Sequence, residues 1–163
     1  MDLSQNYTFT GAVSGHNYPA FEAYRGTSLQ SITDLTATKV QFNTEVFDTD
    51  SAYDNATNYR FTPQVAGKYF VYSGLMMKSS TGTDNIRQIN IDIRKNGSTL
   101  RLTQYYSQNQ FYNFTAFVQG SISMNGSTDY LEVFVTTRSA TGVTSNVEFS
   151  PQPSYFGGYR IGA

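Results

Sequence analysis

Apolar and polar residues alternate with a period of two along most of this chain, and nowhere do apolar residues recur every three to four positions over a helix length. That pattern predicts strands throughout and no helix. The clearest case is Ile89-Asn90-Ile91-Asp92-Ile93-Arg94, followed by Lys95-Asn96-Gly97-Ser98 and Leu100-Arg101-Leu102. Asn-Gly between two alternating runs tolerates the left-handed backbone of a two-residue turn, so a hairpin is expected. Ser121-Ile122-Ser123-Met124, Asn125-Gly126-Ser127 and Tyr130-Leu131-Glu132-Val133-Phe134-Val135 read as a second hairpin by the same logic. Further strands are predicted over 21–24, 39–42, 68–77, 114–118, 146–149 and 155–161. Many short strands at regular spacing indicate one all-β domain, a sandwich or jelly roll.

The segment Tyr59-Arg60-Phe61-Thr62-Pro63-Gln64-Val65-Ala66-Gly67-Lys68-Tyr69-Phe70 reads as strand, turn, strand. Pro63 fixes φ and removes a ladder donor, and Gly67 permits a tight bend. An aromatic, β-branched run suited to burial then begins. Residues 1–18 differ from the rest. Asn6-Tyr7-Thr8-Phe9-Thr10-Gly11-Ala12-Val13-Ser14-Gly15 alternates, is light in charge and is rich in small residues. It resembles the end of a trimeric phage fibre shaft; a flexible leader or a pairing edge strand are the plainer readings. The division expected is a leader or shaft end over 1–18 and a head over 19–163.

Composition narrows the function. There is no cysteine, which excludes disulfides and thiolate metal sites and fits a reducing compartment or an assembly made in one. With 11 basic and 12 acidic residues the formal net charge is -1, so no nucleic-acid partner is expected. Arg87, Arg94, Lys95 and Arg101 cluster in sequence, an arrangement that across a hairpin reads as a solvated face. No apolar run approaches the ~20 residues that cross a bilayer, and no membrane insertion is expected. Charged residues make up only 14%, while Tyr contributes 13 and Phe 12 side chains. Such a surface suits neutral hydrogen bonding and aromatic contact, although any all-β chain enriches aromatics.

Catalysis is not expected. A serine-histidine relay needs an oriented base, and the lone histidine, His16, lies in the leader. Glycosidase chemistry needs two facing carboxylates, and the sequence singles out no pair. Asp48, Asp50 and Asp54 are spaced as a loose oxygen-ligand loop, the weak candidate for a metal. They lack the glycine and terminal Glu of a helix-loop-helix calcium site and are also ordinary turn formers. The stretch from Tyr105 to Phe114 packs five aromatic and five neutral polar residues into ten positions. On a loop, Tyr105, Tyr106, Gln108, Asn109 and Tyr112 would stack on sugar rings and hydrogen-bond hydroxyls; in a strand, the aromatics fill the core or a subunit seam.

Several landmarks together resemble the globular-head family of complement component 1q. The segment 59–70 carries its central signature of aromatic, Arg, Phe, Pro, Gly and Tyr-Phe. Ala20-Phe21-Glu22-Ala23-Tyr24-Arg25 resembles its first strand and Val40-Gln41-Phe42-Asn43 its next landmark. Ile93-Arg94-Lys95-Asn96-Gly97 and Ser123-Met124-Asn125-Gly126-Ser127-Thr128-Asp129-Tyr130-Leu131-Glu132-Val133 resemble later turns, and Ser154-Tyr155-Phe156-Gly157-Gly158-Tyr159-Arg160-Ile161 the closing strand. The resemblance spans about residues 19–163 in order. It implies a ten-stranded jelly roll of the tumour-necrosis-factor type, two five-stranded sheets, a homotrimer and ligand binding without catalysis. No collagen repeat precedes the head, and Glu148-Phe149-Ser150-Pro151-Gln152-Pro153 lacks the acidic cluster that holds calcium in some members, so no cofactor is expected. The resulting expectation is a receptor-binding head at the tip of a phage tail fibre. It would recognise a host-surface glycan or protein, join the rest of the fibre through the leader, and reside in the virion or otherwise outside cells. The alternatives are a structural trimerisation or capping module of a fibre, and a free-standing lectin-like bacterial protein.

Overall fold

A computed structural model describes residues 19–150 and 153–163. The leader, with His16, lies outside the described residues. The strands are β1 (Ala20–Tyr24), β2 (Gln30–Ile32), β3 (Thr38–Lys39), β4 (Thr44–Asp48), β5 (Tyr53–Asp54), β6 (Arg60–Phe61), β7 (Gly67–Ser79), β8 (Ile86–Lys95), β9 (Ser98–Phe111), β10 (Asn113–Met124), β11 (Leu131–Ser139), β12 (Ser145–Val147) and β13 (Tyr155–Gly162). No helix occurs among the described residues. The first sheet runs β2-β12-β7-β13-β1-β4, with β10 along the other side of β7; the second runs β5-β6-β11-β8-β9, with β3 beside β11. All pairings are antiparallel. The sheets thus hold seven and six segments where the resemblance implied five and five. Three of the extra pieces, β3, β5 and β6, are only two residues long.

The inner faces meet in an aliphatic and aromatic core. Phe21 sits at its centre, stacked on Phe61 at 4.2 Å and Tyr53 at 4.9 Å and meeting the edge of Phe156 at 4.9 Å. Each such ring contributes about 2–3 kcal/mol by leaving water. The Tyr53 hydroxyl, pushed far above its ordinary pKa by burial, donates to the Phe42 carbonyl at 3.0 Å. Ile89, Ile91 and Ile93, the inward set of β8, are fully buried, as the alternation predicts.

The first expected hairpin is present. Asn96 and Gly97 adopt φ of 53° and 80° and join β8 to β9. The second is not a hairpin. β10 pairs with β7 in the first sheet, while β11 pairs with β8 in the second, so Asn125-Gly126-Ser127 begins a crossing between sheets. The Asn125 carboxamide oxygen accepts the backbone N–H groups of Ser127, Thr128 and Asp129, each at 3.0 Å, which fixes the turn at the start of that crossing. The segment 59–70 is likewise a crossing: β6 belongs to the second sheet and β7 to the first. Phe61 and Tyr69 point into the core, their rings 5.7 Å apart, and Phe70 points the other way.

Candidate functional site

Strand β7 carries apolar residues on both sides, so its alternate positions face different surroundings. Tyr69 and Val71 are fully buried in the core. Phe70 and Tyr72 lie on the outer face of the first sheet, where β13 supplies Tyr155 and Tyr159 and β10 supplies Phe117. Ring centroids are 5.8 Å apart for Phe70 and Tyr159 and 6.2 Å for Tyr72 and Tyr155. Tyr72 lies flat over Gly157, where an added Cβ would come within 2.6 Å of its ring. Its hydroxyl donates to the Glu22 carboxylate at 2.7 Å; burial first, and then that bond, push its pKa well above the ordinary phenol value. These rings enclose a groove of about 680 Å³. Phe117 is nevertheless 55% exposed and Tyr159 36%.

Beside this face the sandwich is open. Among the described residues, β9 pairs only with β8 and β10 only with β7, which leaves two long strand edges side by side. Cationic side chains take part of the β10 edge: Arg101 donates to the Ser121 carbonyl at 2.9 Å and Lys95 to that of Ser123 at 2.7 Å. Further along, Tyr105 stacks on Phe114 at 3.8 Å and meets Phe111 at 5.6 Å, bridging the two sheets. Tyr105, proposed from sequence as a ligand contact, is therefore a packing residue that points inward opposite Ile89.

The other sequence candidates part company. Tyr106 faces out from the second sheet, opposite Gln88, and is 56% exposed. Gln108 and Asn109 lie in an outward bulge, because β9 pairs through Tyr106 with Gln88 and then only through Phe111 with Ile86. Their amides are exposed and have no partner among the described residues. Tyr112 turns to the other sheet, half-buried, with the Lys78 ammonium 5.4 Å from its ring centroid. Lys78 also pairs with Glu148 at 3.1 Å, and that carboxylate first, then the Tyr112 hydroxyl, raises its pKa. Loops 80–85 and 140–144 complete this end, tied by Ser80 donating to the Thr144 carbonyl at 2.7 Å and Asn85 to the Thr141 hydroxyl at 3.0 Å. The chain enters and leaves at the opposite end, where Ala20 pairs with Tyr159 and Arg160 N–H donates to the Pro19 carbonyl.

The acidic candidates do not converge. Asp48 accepts the Tyr53 N–H at 2.7 Å, and Asp54 accepts the N–H groups of Ala56, Thr57 and Asn58, so both serve their own turns. Among the described residues no group of three or more His, Asp or Glu is placed to hold a metal ion. The sequence marks 68–72 as a run suited to burial, in the core or a subunit seam, but does not join Phe70 and Tyr72 to Phe117, Tyr155 and Tyr159 as one aromatic face. Its signal was present in Lys68-Tyr69-Phe70-Val71-Tyr72, whose apolar character on both sides marks a strand covered on both faces.

No protein-family model matches the chain, and a search of curated proteins finds no match. Solved structures do resemble it. Eiger, a tumour necrosis factor from S. frugiperda, is 15% identical, with a TM-score of 0.56 over 86% of this chain and 90% of that one. Murine APRIL at pH 5.0 is 14% identical, with a TM-score of 0.59 over 86% of this chain and 97% of that one. At such identities the likeness shows the fold, a jelly roll of the type seen in these proteins.

Proposed function

We propose that this domain is the receptor-binding head of a homotrimeric fibre. The observation that carries the reading is an exposed aromatic face lying beside an open pair of strand edges, on a jelly roll of tumour-necrosis-factor type. A face bearing Phe70, Tyr72, Phe117, Tyr155 and Tyr159 is costly to leave in water, and long unpaired edges invite association. The open β9/β10 side of one copy set against the aromatic face of the next makes a head-to-tail contact, and three such contacts close a ring. Glu22 and Tyr72 supply one polar pair within that seam.

The polarity of the fold supports one assignment of the two ends. Residues 1–18 continue from Pro19, beside the last strand, so a fibre joins there. The opposite end presents the unpartnered amides of Gln108 and Asn109 and the hydroxyl-rich loops, and it is the surface that meets a receptor. Three copies on one rigid trimer raise avidity with no new contact. The shaft-like sequence of residues 1–18, together with the absence of cysteine, favours a phage tail fibre tip in this reading. The second reading, a capping module, shares the trimer but not the receptor.

Two measurements test this. Multi-angle light scattering on the purified chain should give three times the mass of one subunit, and a stable monomer would overturn the trimer. Labelled protein should stain host cells and block phage adsorption; a trimer that does neither leaves only the capping role.

A further inference from the structure

Of the 11 lysines and arginines, most have work within the fold. Lys39, Lys78, Arg94 and Lys95 pair with carboxylates. Arg25, Arg101 and Arg160 donate to backbone carbonyls, and the Arg60 guanidinium lies 4.5 Å from the Tyr130 ring centroid. Lys68, Arg87 and Arg138 are left without a partner among the described residues. The two arginines are neighbours, because Arg138 lies directly opposite Gln88, the residue after Arg87.

The backbone brings them to one side. Ile86 and Ile89 are both fully buried, yet the two residues between them, Arg87 and Gln88, both lie outside the core. A regular strand would turn one of the two inward. Here the register shifts on both flanks of β8, between Ile86 and Gln88 against β9 and between Arg138 and Ser139 on β11. A bulge of this kind re-aims a side chain, and it turns Arg87 to the outer face beside Gln88. Across the strands the row then reads Tyr106, Gln88, Arg138. The next row holds Gln104, Asn90 and Thr136, and Gln88 donates to the Asn90 carboxamide oxygen at 3.0 Å, which orients both amides.

The other half of the same face is satisfied within itself. Asp92 accepts from Arg94 and Thr99, Lys39 holds Glu132, and the Arg94 guanidinium lies 3.8 Å from the Phe134 ring centroid. Asp34, beside the arginine row, accepts the Ser139 N–H at 2.6 Å and makes no ion pair with either arginine. The arginine row is thus cationic and makes no ion pair, and one exposed ring lies beside it.

We propose that this part of the outer face of the second sheet binds an anionic saccharide. Arg87 and Arg138 take its carboxylate or phosphate through charge-assisted hydrogen bonds. Tyr106 stacks on a sugar ring, and the amides of Gln88 and Gln104 meet hydroxyls. The inference names the ligand chemistry of the receptor-binding head and rests on that reading.

Isothermal titration of the whole chain with three probes tests it: tetragalacturonate for carboxylate, a glycerol-phosphate tetramer for phosphate, and cellotetraose as the neutral control. Binding of at least one anionic probe is expected, weakening as salt is raised, with none for cellotetraose. Arg87→Ala and Arg138→Ala should each weaken it by roughly tenfold or more, and Tyr106→Ala should weaken it as well. Which anionic probe binds identifies the charged group. No binding of either, or binding that both arginine variants retain in full, overturns the site. Cell staining separates the two readings. Saccharide binding without staining sinks the receptor role and spares the site; staining that survives in both arginine variants, with no anionic probe bound, does the reverse.

Discussion

Single polar side chains decide the loops of this domain, and Asp54 shows how. Hydrogen bonds to its carboxylate, that from the Thr57 N–H foremost, hold its pKa at about 2, below the ordinary 3.8. On acidification the unfolded chain takes up this proton first. The stabilisation is therefore complete above the unfolded value and drains away as pH falls through the folded one. Asp54→Ala should lower stability at neutral pH by about 1 kcal/mol. The gap from the parent should narrow steadily as pH drops from 4 towards 2, read by thermal unfolding at each pH. A gap that stays constant over that range rules out the carboxylate as the cause. The same spacing of Asp48, Asp50 and Asp54 read from sequence as a loose metal loop. Carboxylates within a few residues of free N–H groups bind them before they can converge on an ion, and spacing alone does not separate the two outcomes.

At the scale of elements, alternation located most strands because it reports a local property, the side of the pleat a residue occupies. Ile89, Ile91 and Ile93 were legible for that reason. Which strand pairs with which is not local. Asn96-Gly97 and Asn125-Gly126 look alike in sequence, yet one closes a hairpin and the other opens a crossing between sheets. The difference lies in what each glycine meets. A Cβ on Gly97 (φ 80°) would approach nothing nearer than the Tyr130 hydroxyl at 3.9 Å, whereas one on Gly126 (φ 71°) would come within 2.2 Å of the Ala66 backbone N. Gly97→Ala should therefore cost about 1 kcal/mol, the left-handed penalty alone. Gly126→Ala should cost roughly 3 kcal/mol or more, since the loop must part from the segment before β7. Urea midpoints of the two variants would show the inequality, and equal costs would refute the tight crossing. The candidate site was half legible for the same reason. The aromatic and amide stretch from Tyr105 to Tyr112 stood out by composition, but Tyr105 faces inward through the register that sets it opposite Ile89, and the bulge that turns Arg87 outward forms against β11, far along the chain.

For the whole molecule, the decisive question is what covers the outer face of the first sheet. Phe117 tests it cleanly, because its ring is 55% exposed in the single chain and contributes little to that chain's core. In the trimer the same ring would be buried, and a charge there would have to be desolvated three times over. Phe117→Glu should thus leave the strand content seen by circular dichroism unchanged while weakening association by about 100-fold or more, enough to give monomers at micromolar concentration. Leu35→Glu is the matching control: Leu35 is 66% exposed, in the loop between β2 and β3, and its backbone N–H donates to Thr137 of the second sheet. It should leave the mass on light scattering at the trimer value. If both variants remain trimeric, the aromatic face is not the seam and some other surface holds the copies together. If both dissociate, added negative charge alone is responsible. Only the split outcome ties assembly to the aromatic face, and it would show that the apolar outer side of β7 is there for a second copy of the chain.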